Sequence, residues 1–294
     1  MAVTPQPQCV WALGAELGEG PVWSAAEGAL WFVDIKKRQV HRHVPGTDGG
    51  DTWSMPDQPG FALPAEGGAL IVGMPGGLHR FDPASSSLER VLELETDRPG
   101  NRLNDAHVDA TGRLWFGSMD DAEASGTGAL YSWDGRALVR HDDGICITNG
   151  PVVSLDGRTL YHTDTLAREI HTFALAPDGS LSGKRLFLKF EDSHGWPDGS
   201  TLDSGGCLWV AFFGGWCLRR FAPDGRMLQT VRMPCANVTK LAFGGPQLRT
   251  AFVTTAQKGL DAAQLAQQPL AGGLFVFEPP VAGMAQNAFR IRTR

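Results

Sequence analysis

The chain is poor in cysteine, with five in 294 residues and no two in a C-x-x-C spacing. Disulfide-rich scaffolds and cysteine-ligated zinc sites need cysteines at paired, characteristic spacings. An odd, scattered set argues against both, and we expect buried, reduced thiols. The cysteines are Cys9, Cys146, Cys207, Cys217 and Cys235.

Long apolar runs and an excess of positive charge are also missing. No stretch of about 18 apolar residues occurs, so the sequence predicts no membrane span. The N-terminus has no basic start followed by an apolar run, so we expect no signal peptide and a cytoplasmic protein. With 26 Lys and Arg against 32 Asp and Glu, the formal net charge is −6. This charge gives no electrostatic reason to bind nucleic acid or an anionic membrane.

Glycine and large aromatic residues are abundant: the chain has 37 Gly, 9 Trp and 15 Phe. This composition is typical of short strands joined by many turns, with the aromatic residues in the core. A short aromatic or β-branched run recurs six times, and five copies carry a leucine at separations of 40, 44, 46 and 48 residues. These leucines are Leu30, Leu70, Leu114, Leu160 and Leu208, and the sixth copy has Ala251 in their place.

The even period decides the predicted architecture. About four short strands per repeat and six repeats predict an all-β protein, a six-bladed β-propeller with four-stranded blades. A pair of β-sandwiches would explain the turns equally well, but not the spacing. Only Gly259–Gln268 has some helical character, and we expect the ring to close between Gly273–Phe277 and a first strand around Cys9–Leu13. No linker divides the chain, so residues 1–294 are assigned to one domain.

Polar residues recur in phase with the repeat, ten or eleven positions before the leucines. Because the inner strand of each propeller blade runs beside the central channel, these residues should meet at one channel mouth. Two carboxylates and two amides offer only oxygen ligands, which favour ions such as Ca²⁺, Mg²⁺ or Mn²⁺. Any one of them could instead be a turn residue, since Asp and Asn before Gly suit turns. The residues are Glu19, Asn104, Asn149 and Asp198, whereas the second repeat has apolar Gly60 and Phe61 in this phase.

Seven motifs occur in the order of a known family and cover nearly the whole chain. They are Leu17–Trp23, Asn101–Asp105, Gly112–Gly117, Ile147–Gly150, Tyr161–Thr165, Pro197–Gly199 and Phe243–Gly245. With these motifs the chain resembles the senescence-marker-protein-30/gluconolactonase family, the regucalcin-like sugar lactonases. Within that family it is most similar to bacterial pentonolactonases such as the xylonolactonases. The resemblance also implies a six-bladed propeller.

The resemblance further implies roles for individual residues. Glu19, Asn149 and Asp198 would hold one divalent metal ion, with calcium, zinc, manganese and iron(II) as candidates. Arg102 and Asn104 would hydrogen-bond a lactone, and Asp198 would also act as the catalytic base. Glu123 lies in the loop Asp120–Gly126, where some members place another substrate contact. The implied function is a metal-dependent lactonase that hydrolyses a xylono-, arabinono- or gluconolactone to the aldonic acid.

Two other functions stay open at this point: a propeller that binds a cation or a protein without catalysis, and a metal-dependent hydrolase of other esters. Metal ligands, a base and an arginine at one mouth favour the lactonase, whose partner would be a small sugar lactone. We interpret Lys240 and Asn237, near the sixth-blade mouth, as loop or core polar residues. His41 and His43 alternate on one strand without a third ligand nearby, and we interpret them as surface histidines.

Overall fold

Six four-stranded antiparallel sheets form the ring in the computed structural model, which describes residues 6–290. The first three blades are β2 (Gly18–Ser24), β3 (Ala29–Asp34), β4 (Gln39–His43) and β5 (Asp51–Ser54); β6 (Phe61–Pro64), β7 (Leu70–Met74), β8 (Gly77–Asp82) and β9 (Ser87–Glu93); and β10 (Asn101–Val108), β11 (Leu114–Asp120), β12 (Gly128–Trp133) and β13 (Leu138–Ile145). The last three are β14 (Thr148–Val153), β15 (Thr159–Asp164), β16 (Glu169–Leu175) and β17 (Leu181–Lys189); β18 (Trp196–Leu202), β19 (Leu208–Phe213), β20 (Cys217–Phe221) and β21 (Met227–Arg232); and β22 (Asn237–Gly244), β23 (Thr250–Ala256) and β24 (Leu274–Phe277) with the N-terminal β1 (Gln8–Trp11). The six-bladed propeller predicted from the spacing is therefore confirmed.

The ring closes as the sequence predicts. β1 pairs antiparallel with β24, with Gln8 opposite Val276, so the sixth blade takes its outermost strand from the start of the chain. The expected helical segment contains α1 (Ala262–Gln267), which begins with a capping box at Asp261. Short 3₁₀ turns lie at Glu66–Gly68, Asp192–His194 and Pro246–Leu248.

The second strand of each blade supplies much of the core. Trp31, Trp115 and Trp209 lie on β3, β11 and β19 and are each 1% exposed or less. The indole N–H of Trp115 donates to Asp109 at 2.8 Å, and that of Trp209 donates to Asp203 at 3.0 Å. A carboxylate at the turn before the strand thus satisfies the one polar atom of a buried ring.

A C-terminal segment, residues 281–290, crosses the face on which the inner strands end; we call it the strap. Gly283 N donates to Leu248 O at 2.9 Å, and Phe289 N donates to Pro64 O at 2.8 Å. The Phe289 ring is fully buried and stacks on Trp133 with centroids 5.0 Å apart. The strap therefore connects the sixth blade to the second and third, an arrangement that the repeat pattern does not predict.

The interpretation of His41 and His43 as surface residues is wrong. Each is 1% exposed, because Trp11 of the closing strand β1 packs over both rings. Burial lowers the pKa of His41 to about 4. The alternating positions of the two histidines on β4 suggested an exposed face, but the sequence pattern does not show that β1 covers this face.

The five cysteines are free, as expected for a chain without a disulfide framework; three are buried, but Cys9 and Cys146 are only partly so. Within residues 6–290, no helix is long and apolar enough to cross a membrane. The cytoplasmic location and the single domain stay predictions. Residues 1–5 and 291–294 of that predicted domain, including the first part of the N-terminus, lie outside the described residues.

Candidate functional site

The inner strands of five blades break their pairing at the same level. The register with the second strand shifts between Glu19 and Val22, Leu103 and Ala106, Asn149 and Val152, Pro197 and Ser200, and Val238 and Lys240. In the second blade, β6 pairs with β7 without interruption. A β-bulge re-aims the side chains around it, so five blades present bulge residues at the channel and the apolar second blade does not.

Small residues let these bulges approach each other. Gly150 has φ 50°, in the left-handed region, and a Cβ there would lie 2.8 Å from the Ser200 Cβ of the next blade. At Gly199 a Cβ would come within 2.5 Å of the Lys240 Cγ. Each glycine directly follows a predicted metal ligand, which explains the Asn-Gly and Asp-Gly pairs by crowding at the ring centre rather than by turns alone.

All the predicted site residues border one cavity of about 300 Å³ at the start of the inner strands. They are Glu19, Arg102, Asn104, Glu123, Asn149 and Asp198. The wall around them is largely apolar and includes Leu17, Met119, Ile147, Leu166, Trp196 and Phe213. Trp196 is thus an exception to the expectation that the aromatic residues are core, since it is 38% exposed at this cavity. The roles assigned to the six polar residues stay predictions.

A chain of hydrogen bonds fixes the arginine and the amides. Arg102 Nη1 donates to Asn104 Oδ1 at 2.5 Å, and Asn104 Nδ2 donates to Asn149 Oδ1 at 2.9 Å. Asn149 Nδ2 donates to Thr165 Oγ1 at 3.0 Å, and Thr165 donates in turn to Pro197 O at 2.9 Å. The network joins the third, fourth and fifth blades and leaves Asn149 Oδ1 with a second lone pair for a ligand.

Two of the cavity's carboxylates, Glu19 and Asp198, are buried and lie near cationic side chains without forming an ion pair with any that the structure describes. Burial and the negative charge of Asp105 raise the pKa of Glu19 to about 7. Burial and the charge of Glu19 raise the pKa of Asp198 well above its usual value. Within residues 6–290, no salt bridge involves either carboxylate. Buried carboxylates need a cation or a proton, so this donor set fits a divalent ion.

The described residues contain no group of three His, Cys, Asp or Glu side chains placed to hold a metal ion. The candidate set combines two carboxylates, Glu19 and Asp198, with the amide oxygen of Asn149. Oxygen ligands of this mixed kind suit hard cations.

Asp121 is a site residue that the sequence did not reveal. It accepts hydrogen bonds from Arg102 Nε and Lys36 Nζ, both at 2.7 Å, and from Gln58 Nε2 at 3.0 Å. Burial alone would raise its pKa, but these three donors hold the pKa well below its usual value. Asp121 therefore remains ionised and orients the guanidinium toward Asn104.

Glu123 has an unexpected partner across the cavity. Its Oε1 forms an ion pair with Nζ of Lys258, which follows β23 in the sixth blade. Asn237 supports this loop by donating to Lys258 O at 2.9 Å. A substrate hydroxyl that reaches Glu123 would therefore enter an existing ion pair.

The amino-acid sequence of the chain matches known proteins over most of its length. Residues 17–257 match the family described as the SMP-30/Gluconolactonase/LRE-like region. The chain is 35% identical over 286 residues to 6-deoxy-6-sulfogluconolactonase of Pseudomonas putida, covering 96% of this chain and 98% of that protein. It is 35% identical over 280 residues to L-arabinolactonase of Azospirillum brasilense, covering 93% of this chain and 92% of that protein. The crystal structure of a calcium-binding protein, regucalcin, from Agrobacterium tumefaciens superposes with a TM-score of 0.93 at 27% identity, covering 98% and 97%.

Proposed function

Because the chain belongs to the SMP-30/gluconolactonase/LRE-like family, we propose that it is a metal-dependent sugar lactonase, which hydrolyses an aldonolactone to the aldonic acid. The observation that carries this proposal is that two buried carboxylates, an amide and an arginine border one cavity, and that neither carboxylate forms a salt bridge within residues 6–290. A propeller that only served as a scaffold would not need to bury such a set. The lactone names of two similar proteins support the same reaction class.

The substrate we propose is a pentonolactone, such as xylono- or arabinonolactone, or gluconolactone. A cavity of about 300 Å³ lies at the lower end of the range for small-molecule pockets, which suits one sugar ring. Polar residues from several blades line this cavity, and the apolar side chains of Leu166, Trp196 and Phe213 also contribute to its wall. A lactone ring has both kinds of surface, since its oxygens need donors and its C–H groups pack on apolar side chains.

Glu19, Asn149 and Asp198 would hold the divalent ion. When bound, such an ion polarises the lactone carbonyl, stabilises developing negative charge and acidifies water. Calcium, zinc, manganese and iron(II) are the candidates; the all-oxygen donor set favours the harder ions, and the similar regucalcin is described as calcium-binding.

Arg102 and Asn104 would bind and orient the lactone. Two nitrogens of the guanidinium are already used, Nε by Asp121 and Nη1 by Asn104. Nη2 has no hydrogen-bond partner among the residues that the structure describes, so it is available to a lactone oxygen. A planar, fixed guanidinium of this kind donates with little loss of side-chain freedom.

Asp198 would act as the general base. It takes a proton from water as the water oxygen bonds to the carbonyl carbon, and a positioned base contributes about 10²–10⁴-fold. The ester C–O bond then breaks, and the proton passes to the departing ring oxygen. Because its pKa is raised, Asp198 holds a proton more strongly than an ordinary carboxylate, which suits a group that both accepts and returns a proton.

Acid production from a panel of lactones tests the proposal. Purified protein is assayed on xylono-, arabinono- and gluconolactone above the spontaneous rate, after chelation and again after metal is restored. We expect acceleration that chelation removes and metal restores. Failure on all lactones with metal present would leave a cation-binding propeller, and turnover of other esters alone would indicate a different hydrolase.

A further inference from the structure

A buried ion pair lies in the central channel directly behind the cavity. Lys240 Nζ contacts Asp105 Oδ1, and the two residues are 7% and 1% exposed. They also line the narrow channel that continues past the site, together with His107 and Ser200. Desolvating two charges is costly, so a pair at this place calls for an explanation beyond packing.

The pair touches the bulges that carry the candidate ligands. Asp105 Oδ2 accepts a hydrogen bond from Gly150 N at 2.8 Å, next to Asn149. The aliphatic stem of Lys240 fills the space beside Gly199, next to Asp198. Asp105 itself follows Asn104 on β10. One ion pair therefore fixes bulges of the third, fourth, fifth and sixth blades.

Charge adds a second argument. Three carboxylates are buried at the ring centre, those of Glu19, Asp105 and Asp198, and Lys240 supplies a buried ammonium. The other cations of the cavity already have partners, since Arg102 pairs with Asp121 and Lys258 pairs with Glu123. Three negative charges and one positive charge leave two negative charges, which one divalent cation balances.

We propose that Lys240 sets the charge of the cation site: by neutralising Asp105, which lies against the ligand-bearing bulges, it leaves the net charge that a single divalent ion balances. The inference rests on the function proposed above, because it concerns the same site. It assigns Lys240 no contact with the lactone. A purely structural role would need the volume and hydrogen bonds of the pair, but not its charges.

Four proteins separate the two roles: the wild type, Asp105→Asn, Lys240→Met and the double variant. Each is freed of metal by chelation and titrated at pH 8 with Ca²⁺ alone and with Mn²⁺ alone by calorimetry. Asp105→Asn leaves an uncompensated ammonium behind the site, so the Kd should rise about tenfold or more. Adding Lys240→Met to that variant removes the ammonium, and the Kd should return to within about threefold of the wild type. Lys240→Met alone should bind at least as tightly as the wild type.

Lys189→Met serves as the matched control, because its ammonium pairs with Glu169 on the exposed edge of the fourth blade; its Kd should not change. Circular dichroism and the unfolding midpoint check that each variant folds. If Lys240→Met alone does not fold, the comparison of Asp105→Asn with the double variant is enough to test the proposal. A double variant that binds no better than Asp105→Asn would overturn the role of Lys240 while leaving the lactonase intact. A wild type that binds neither of these cations, nor Zn²⁺ or, in the absence of oxygen, Fe²⁺ titrated in the same way, would overturn the proposed function as well.

Discussion

Asp198 and Glu19 share one cavity, although they come from the fifth and first blades of the ring. After burial, the charge of Glu19 is the largest cause that raises the pKa of Asp198. Two ionised carboxylates held this way repel each other until a cation or a proton intervenes. The same repulsion that would draw in a cation also makes Asp198 a stronger proton acceptor than an ordinary carboxylate.

Asp198→Asn should remove most of the lactonase activity. The amide keeps the size of the side chain and one oxygen donor but cannot accept the proton of water, so kcat should fall by about 10²–10⁴-fold. Lactone hydrolysis is measured at saturating metal, and calorimetry reports whether the cation still binds. Asp224→Asn, an exposed residue in the turn between β20 and β21 of the same blade, is the control. Activity close to that of the wild type would exclude Asp198 as the base.

Trp196→Ala should weaken substrate binding more than chemistry. The indole lines the cavity and is braced by the Arg168 guanidinium, 5.0 Å from the ring centroid. Losing the apolar contact with C–H groups of the lactone costs about 0.8 kcal/mol for each buried CH₂, so KM should rise severalfold with kcat little changed. Trp216→Ala removes a similarly exposed ring, 40% exposed, that does not border the cavity. Equal effects of the two variants would show that Trp196 has no special contact with the lactone.

Gly150→Ala should disturb the ring centre. The new Cβ must adopt φ near 50° and meets the Ser200 Cβ at 2.8 Å, so we expect a loss of about 1–3 kcal/mol in the free energy of unfolding. Gly157→Ala is a matched control with φ 69° and no atom within 4 Å of the added Cβ. Denaturant unfolding of both variants isolates the cost of crowding. If the two variants lose the same stability, backbone strain alone accounts for the effect.

Stability should decrease in mild acid because of buried neutral histidines. Burial lowers the pKa of His162 to about 4, and in the unfolded chain the ordinary value is about 6.5. Between these two values the unfolded state binds the extra proton, so the free energy of unfolding falls as the pH drops, by at most about 1.4 kcal/mol per pH unit for each such group. Unfolding of the wild type and of His162→Gln at pH 8, 6 and 5 should show a shallower slope for the variant. Parallel slopes would mean that His162 protonates equally in both states.

Much of the fold could be predicted because the pattern is periodic. The leucine spacing gave the number of blades, and its phase placed Glu19, Asn149 and Asp198 on inner strands at one cavity. The same phase showed that the second blade has no polar residue at this position, and its strand β6 carries no bulge. Arg102 and Glu123 lie outside that phase argument and came from the family resemblance.

The charge partners could not be predicted, because nothing local in the sequence records which side chains meet across the ring. Lys240 pairs with Asp105, and Lys258 with Glu123, each over 135 positions. Periodicity identifies a residue's place in its own blade but not the side chain that faces it from another. His41 and His43 were misjudged for the same reason, since Trp11 covers them from the strand that closes the ring.

The strap has a consequence for how substrate and product enter and leave the cavity. Behind the cavity the channel leaves a space of only about 20 Å³, bordered in part by Gln286 of the strap. This is about the space of a single water molecule. If the cavity binds a sugar lactone, the aldonic acid product cannot leave through the channel behind the cavity. It must leave through the same opening by which the substrate enters. Accumulating aldonic acid would then occupy the cavity entrance, and we expect it to act as a competitive inhibitor of lactone hydrolysis.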